Sequence, residues 1–225
     1  FLKDAYDSGI RTFLLQHTID VKDFPDASII VVPNTVTALQ QIAANHRKQF
    51  HIPVIGITGS NGKTVVKEWL YQLLADDKEV VKSPRSYNSQ IGVPLSVWLM
   101  DPHHEIAIFE AGISQTGEME KLEQIIRPTI GIFTNIGEAH SEGFLNQRQK
   151  VNEKLVLFRH VQKLVYCSDH IDVNEAVLLY RNQLHGDDKE AMQVFTWSQK
   201  NDADLRVVSI SSIQNLTTIE AVYKN

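Results

Sequence analysis

Continuous apolar runs and amphipathic stretches alternate along this chain. Residues 54–57, Val-Ile-Gly-Ile, carry no polar interruption, the pattern of a parallel strand covered on both faces. After a glycine-rich turn, Val66, Leu70, Leu73 and Leu74 recur at helical spacing and predict a helix over 64–74 with one buried face. The runs at 106–109 and 130–135 predict two more buried strands, each ending in a polar residue, and 164–167 predicts another. Residues 150–158 predict a helix whose apolar side is Val151, Leu155 and Phe158. Upstream, 1–7 reads as a helix, 11–15 and 29–32 as strands, and 36–50 as an amphipathic helix with Leu39, Ile42, Ala43 and Phe50 inward. Near the other end, 205–210 and 217–223 read as β segments.

Strands that alternate with helices predict an α/β fold: a central domain with a mostly parallel sheet flanked by helices, preceded by part of a small α/β unit. The 225 residues, 43% of them apolar, suffice for one large core or two smaller ones. A formal charge of −5 offers no broad basic surface, so nucleic acid is not an expected partner. A single cysteine, Cys167, excludes a disulfide framework and fits a reducing compartment. No apolar run approaches the length of a membrane span and no signal peptide is present, so a cytoplasmic location is expected.

The chemistry starts at the turn Thr58-Gly59-Ser60-Asn61-Gly62-Lys63-Thr64. Gly59 and Gly62 permit backbone conformations that aim successive N–H groups at phosphate oxygens, and the helix that follows adds its unpaired first-turn amides. Lys63 is placed to reach terminal phosphates and the Thr64 hydroxyl to hold Mg²⁺. The general phosphate-loop pattern asks for glycine where Ile57 stands, with Gly56 one place too early, so the loop is a shortened form. Glu110 closes the 106–109 strand, beside the loop if the sheet is open and parallel, where a carboxylate is a Mg²⁺ ligand, or else the cap of the next segment or the partner of a lysine.

Gly-Ile-Thr-Gly-Ser-Asn-Gly-Lys-Thr resembles the ATP loop of the Mur ligases, the ATP-dependent amide-forming enzymes of peptidoglycan precursor synthesis. Three later segments match in the same order: 88–95, Asn-Ser-Gln-Ile-Gly-Val-Pro-Leu; Glu110-Ala111-Gly112 with Gly117-Glu118; and Thr134-Asn135-Ile136 followed by 139–144, Ala-His-Ser-Glu-Gly-Phe. All are similar to the branch that joins D-alanyl-D-alanine to UDP-N-acetylmuramoyl-tripeptide. The resemblance implies ATP on residues 58–64, adenine contact by Asn135, one Mg²⁺ on Thr64 and Glu110, and a second Mg²⁺ on His140 and Lys154. Lys154 matches the family site where the amine is carbamoylated by CO₂; Lys150 is the competing lysine, and a solvated helix lysine pairing with Glu153 is the ordinary alternative. Lys63, Glu110, His140 and Lys154 thus become the expected catalytic group, with Asn88 near the substrate.

The resemblance further implies residues 1–47 as part of an N-terminal domain that binds the UDP substrate and 48–225 as an incomplete central ATP-binding domain. The family's C-terminal ligase domain is then missing, and this chain alone is expected to bind ATP without complete ligase activity. Two other readings stay open on the residues: another Mur-type or folylpolyglutamate-type ligase, and a P-loop kinase or ATPase in which Glu110 is the metal acid and Lys154 is ordinary.

Overall fold

A computed structural model describes residues 1–137, 143–183, 192–214 and 216–224. Its helices are α1 (Leu2–Asp7), α2 (Thr35–Arg47), α3 (Lys63–Leu74), α4 (Gly92–Val97), α5 (Glu118–Ile126), α6 (Gln147–Leu155) and α7 (Ile171–Gln183). Its strands are β1 (Thr12–Leu15), β2 (Ser28–Val31), β3 (Val54–Thr58), β4 (Val80–Lys82), β5 (Ile106–Glu110), β6 (Ile130–Phe133), β7 (Lys163–Cys167), β8 (Gln193–Ser198), β9 (Leu205–Ile213) and β10 (Leu216–Tyr223). β1 and β2 form a separate parallel pair. The main sheet has the order β10-β9-β8-β7-β6-β3-β5-β4 and is parallel except for the terminal β9–β10 hairpin.

That order sets the position of the site. β3 lies between β5 and β6, so the chain leaves β3 in one direction for β4 and β5 and later returns on the other side for β6 and β7. A crevice opens where the winding reverses, beyond the carboxyl end of β3.

Two-residue alternation divides the strands between two cores. Ile55, Ile57 and Ile108 face α3, where Val66, Leu70, Tyr71 and Leu74 cover them. Val54, Ala107, Phe109 and Phe133 face the opposite layer, which contains Val97, Met119, Leu122, Ile126, Val151 and Phe158. Each fully buried isoleucine or phenylalanine contributes roughly 1.5–3 kcal/mol by leaving water. The predicted α3 face needs one correction: Leu73 is 74% exposed, and the third inward position is taken by Lys67, which is fully buried.

α2 departs from its predicted face in the same way. Its buried residues are Gln40, Ala43 and Arg47, one to two turns apart, while Ile42 is exposed. Both polar side chains are satisfied where they are buried. Gln40 Nε2 donates to the backbone carbonyl of Gln90 at 3.1 Å and to its side-chain oxygen at 2.9 Å. Arg47 donates to the carbonyls of Ile126, Phe50 and Arg127 at 2.8, 2.6 and 3.1 Å, locking α2 onto the end of α5. α6 follows its prediction, with Val151, Leu155 and Phe158 buried, the last in a one-turn 3₁₀ extension over Val156–Phe158. The charged stretch at 186–190 that reads as a surface loop lies outside the described residues.

Candidate active site

The strand–turn–helix unit folds as its residues dictate. Gly59 has φ +145° and Gly62 φ +80°, values that a side chain would strain, and Gly62 forms the N-cap of α3. At Gly59 a Cβ would stand 2.0 Å from Thr134 Oγ1, so the turn packs directly on the segment that follows β6. That segment braces the loop: Ser60 N donates to Asn135 O at 2.9 Å, Asn61 N to Asn135 Oδ1 at 2.9 Å, and Thr134 Oγ1 to Asn61 O at 2.6 Å. Ser60 Oγ also bonds Gly137 O at 3.2 Å and accepts from Gly137 N at 3.1 Å. Thr134 is a brace that the pattern of the sequence did not single out, and Asn135 holds the loop's own backbone.

Two lysines converge on this turn and a third on the segment that braces it. Lys63 Nζ donates to Gly59 O at 2.9 Å, and Lys154 Nζ reaches the same oxygen at 3.2 Å. Lys150 Nζ donates to Gly137 O at 2.6 Å. Lys150 and Lys154 are both buried on the inner side of α6, which removes the solvated-lysine alternative. Glu153 is not the partner of Lys154: its Oε1 accepts from Gly117 N at 2.8 Å and Met119 N at 3.2 Å, capping α5. Burial, then the charges of Lys63 and Lys150, push the Lys154 amine down to about 7. Burial also lowers Lys63, against the attraction of Glu110.

Glu110 ends β5 fully buried, as its apolar strand requires. Thr64 Oγ1 donates to its Oε2 at 3.0 Å, and Lys67 Nζ lies 2.9 Å from its Oε1. Oε1 nevertheless accepts no aligned hydrogen bond, so that contact is charge proximity and leaves a buried oxygen with acceptor capacity. A carboxylate and a hydroxyl in contact are hard oxygen donors of the kind Mg²⁺ takes, with water and phosphate completing the shell. The residues present therefore fit one such ion. Among the described residues no group of three His, Cys, Asp or Glu could hold a metal by itself. His140, the expected ligand of a second ion, lies outside the described residues.

A cleft of about 360 Å³ opens beside the turn and brings Lys63, Asn88, Gln90, Gly112, Glu118 and Lys154 together. Asn88 is fixed by its backbone, whose carbonyl accepts from Gly112 N at 2.7 Å. Gln90 Nε2 donates to Glu118 O at 3.1 Å, and with Gln40 ties α2, the 88–91 segment and α5 into one wall. The apolar pattern of α3 does not mark Lys67, because a lysine among apolar helical positions reads as a residue that turns to solvent. Its spacing was the available signal: it lies three residues from both Thr64 and Leu70, on the inward side.

Fold and site together define a class: a doubly wound α/β domain with a strand–glycine loop–helix unit at its switch point, an acidic strand tip beside it and lysines converging on the turn. Residues 57–224 match the Mur ligase middle domain. The chain belongs to the Mur ligase family. It is 32% identical over 172 residues to the UDP-N-acetylmuramoyl-tripeptide--D-alanyl-D-alanine ligase of Bacillus subtilis, covering 75% of this chain and 37% of that protein. The MurF ligase of Thermotoga maritima, solved in complex with ADP, superposes with a TM-score of 0.82 at 25% identity, covering 98% of this chain and 49% of the other. MurF from Acinetobacter baumannii shares the fold, with a TM-score of 0.82 at 22% identity over 98% of this chain and 46% of its own. The chain thus spans about half the length, or less, of these relatives.

Proposed function

We propose that this chain is the nucleotide-binding part of an ATP-dependent ligase that joins D-alanyl-D-alanine to UDP-N-acetylmuramoyl-tripeptide in the cytoplasm. The observation that carries this reading is the convergence of Lys63, Thr64, Glu110 and Lys154 on one glycine turn. ATP lies with its phosphates against residues 58–64, where Lys63 leaves the Gly59 carbonyl for the terminal phosphates. Asn135 reaches the adenine from the segment that braces the loop. Thr64 and Glu110 would hold one Mg²⁺, and His140 with the carbamate of Lys154 would hold a second; such ions would neutralise charge at the transferring phosphoryl group.

The chain's own residues then position and polarise. Lys63 stabilises negative charge on the γ-phosphoryl group while a substrate carboxylate attacks phosphorus and ADP leaves, giving an acyl phosphate. The dipeptide amine displaces phosphate from that carbonyl and loses a proton, forming the amide. Asn88 faces the acceptor side of the cleft. Lys154, neutral in a good fraction of molecules near pH 7, adds through nitrogen to CO₂ and releases one proton, which converts the buried neutral amine into a carbamate anion.

Titration of this chain with a non-hydrolysable ATP analogue, with and without Mg²⁺, tests the core of the reading: Mg²⁺-strengthened binding is expected, and no binding overturns it. With the rest of the ligase joined to it, ATP consumption should require both UDP-muramoyl-tripeptide and D-Ala-D-Ala. Consumption driven by a hydroxyl acceptor alone would identify a kinase instead.

A further inference from the structure

Lys67 is a fully buried lysine for which the chemistry above has no use. Its amine lies 2.9 Å from Glu110 Oε1 and 3.2 Å from Glu68 Oε1, and it donates to the carbonyls of Ser83, at 2.8 Å, and Arg85. A buried ammonium persists only where charge and hydrogen bonds replace water, and here they come from three places. One is the neighbouring Glu68 on α3 itself. The other two are distant in sequence: the acidic tip of β5 and the turn that follows β4.

Thr64 and Lys67 are one helical turn apart and take opposite oxygens of the same carboxylate. Ser83 adds a second link, since Glu110 N donates to Ser83 Oγ at 3.2 Å and Ser83 N to Ile108 O at 3.0 Å. Arg85 sits at φ +48°, a left-handed conformation that a non-glycine residue holds only when its surroundings fix it. The Lys67 bond to its carbonyl is one such fixture. From there the chain runs through Tyr87 N to Pro84 O at 3.1 Å and Asn88 N to Ser86 O at 2.8 Å, directly into the wall of the cleft.

Resting on the nucleotide-binding reading, we propose that Lys67 is a positioning residue that couples the metal-facing carboxylate of Glu110 to the 83–92 segment. A cation that draws on Glu110 weakens the carboxylate's hold on the ammonium, which then bonds more strongly to the Ser83 and Arg85 carbonyls. Mg-nucleotide binding thereby orders the acceptor side of the cleft.

Hydrogen exchange read by mass spectrometry on the chain with an ATP analogue, with Mg²⁺ or with EDTA, tests this. In the wild type, nucleotide alone should slow exchange over 58–64, and Mg²⁺ should extend the slowing to 83–92. Lys67→Met should keep the first response and lose the second, and Lys67→Gln, which keeps a donor without the charge, should lose it too. Survival of the 83–92 response in either folded variant overturns the proposal. So does its absence in a wild type that protects 58–64, a result obtained without any variant. No protection at 58–64 would instead sink the nucleotide reading, and this coupling with it.

Discussion

Lys154 and Lys63 donate to one and the same carbonyl oxygen, that of Gly59, at 3.2 and 2.9 Å. Two cations share a desolvated acceptor, and both amines are lowered, Lys154 to about 7. This carries a stability consequence with a definite sign. The unfolded lysine keeps its proton up to about pH 10.4, whereas the folded one releases it near 7. Between those limits the unfolded state binds more protons, so stability rises with pH. In CO₂-free buffer, the urea midpoint of the wild type should therefore gain on that of Lys154→Met between pH 7 and pH 9. A constant difference would mean that Lys154 titrates as an ordinary lysine.

Gly59 and Gly62 make a matched pair of probes. A Cβ at Gly59 meets Thr134 Oγ1 at 2.0 Å and the backbone of Asn135 at 3.0 Å, on top of φ +145°. One at Gly62 finds only Thr134 Cβ at 4.0 Å, leaving the strain of φ +80° alone. Gly59→Ala should cost roughly 3 kcal/mol and abolish nucleotide binding. Gly62→Ala should cost about 1 kcal/mol. Urea denaturation measures both; equal costs would show that the brace from Thr134 is not tight.

The central strands were legible because uninterrupted apolar runs such as those around Ile57 and Phe109 admit few alternatives once a glycine turn follows. Parallel pairing of β3 with β5 and β6 then put Glu110 beside Thr64 as anticipated. What escaped is polar and inward. Lys67, Gln40 and Arg47 are buried because distant carbonyls and carboxylates meet their tips, and a local pattern contains no trace of those partners. The apolar pattern likewise does not announce α4, α5, α7, β4 or β8. β8 alternates only partly, with Val194, Phe195 and Trp197 half-buried or less, so its strand character comes from pairing with β7.

Arg47 offers a test of how strongly the upstream helix is held. All three of its bonds go to backbone carbonyls at the end of α5 and just beyond α2, and burial pushes its pKa down from the usual guanidinium range. Arg47→Met keeps the apolar stem and orphans three acceptors. At about 1.5–3 kcal/mol per bond to a charged donor, the loss should be at least roughly 4 kcal/mol in urea denaturation. A loss below about 1 kcal/mol would place α2 outside the cooperative unit.

Thr64 and Glu110 should be separable from the phosphate-binding backbone by their metal dependence. Thr64→Val preserves shape and removes the hydroxyl that donates to Glu110 Oε2 at 3.0 Å; Glu110→Gln preserves shape and removes the charge. Neither change touches the amides of residues 59–62, and although Glu110→Gln removes the charge that attracts Lys63 it also removes a repulsion of the triphosphate, so affinity for an ATP analogue in EDTA should not fall by more than about twofold. The gain produced by Mg²⁺ should fall about tenfold in each variant, since each deletes one hard oxygen ligand or its charge, worth about 1.5 kcal/mol. Because both deletions act on the same ion, the double variant should lose little more than the worse single one. Calorimetric titration reads all four values. Additive losses would mean that the two side chains serve different ions, and losses already present in EDTA would mean that they shape the loop rather than hold the metal.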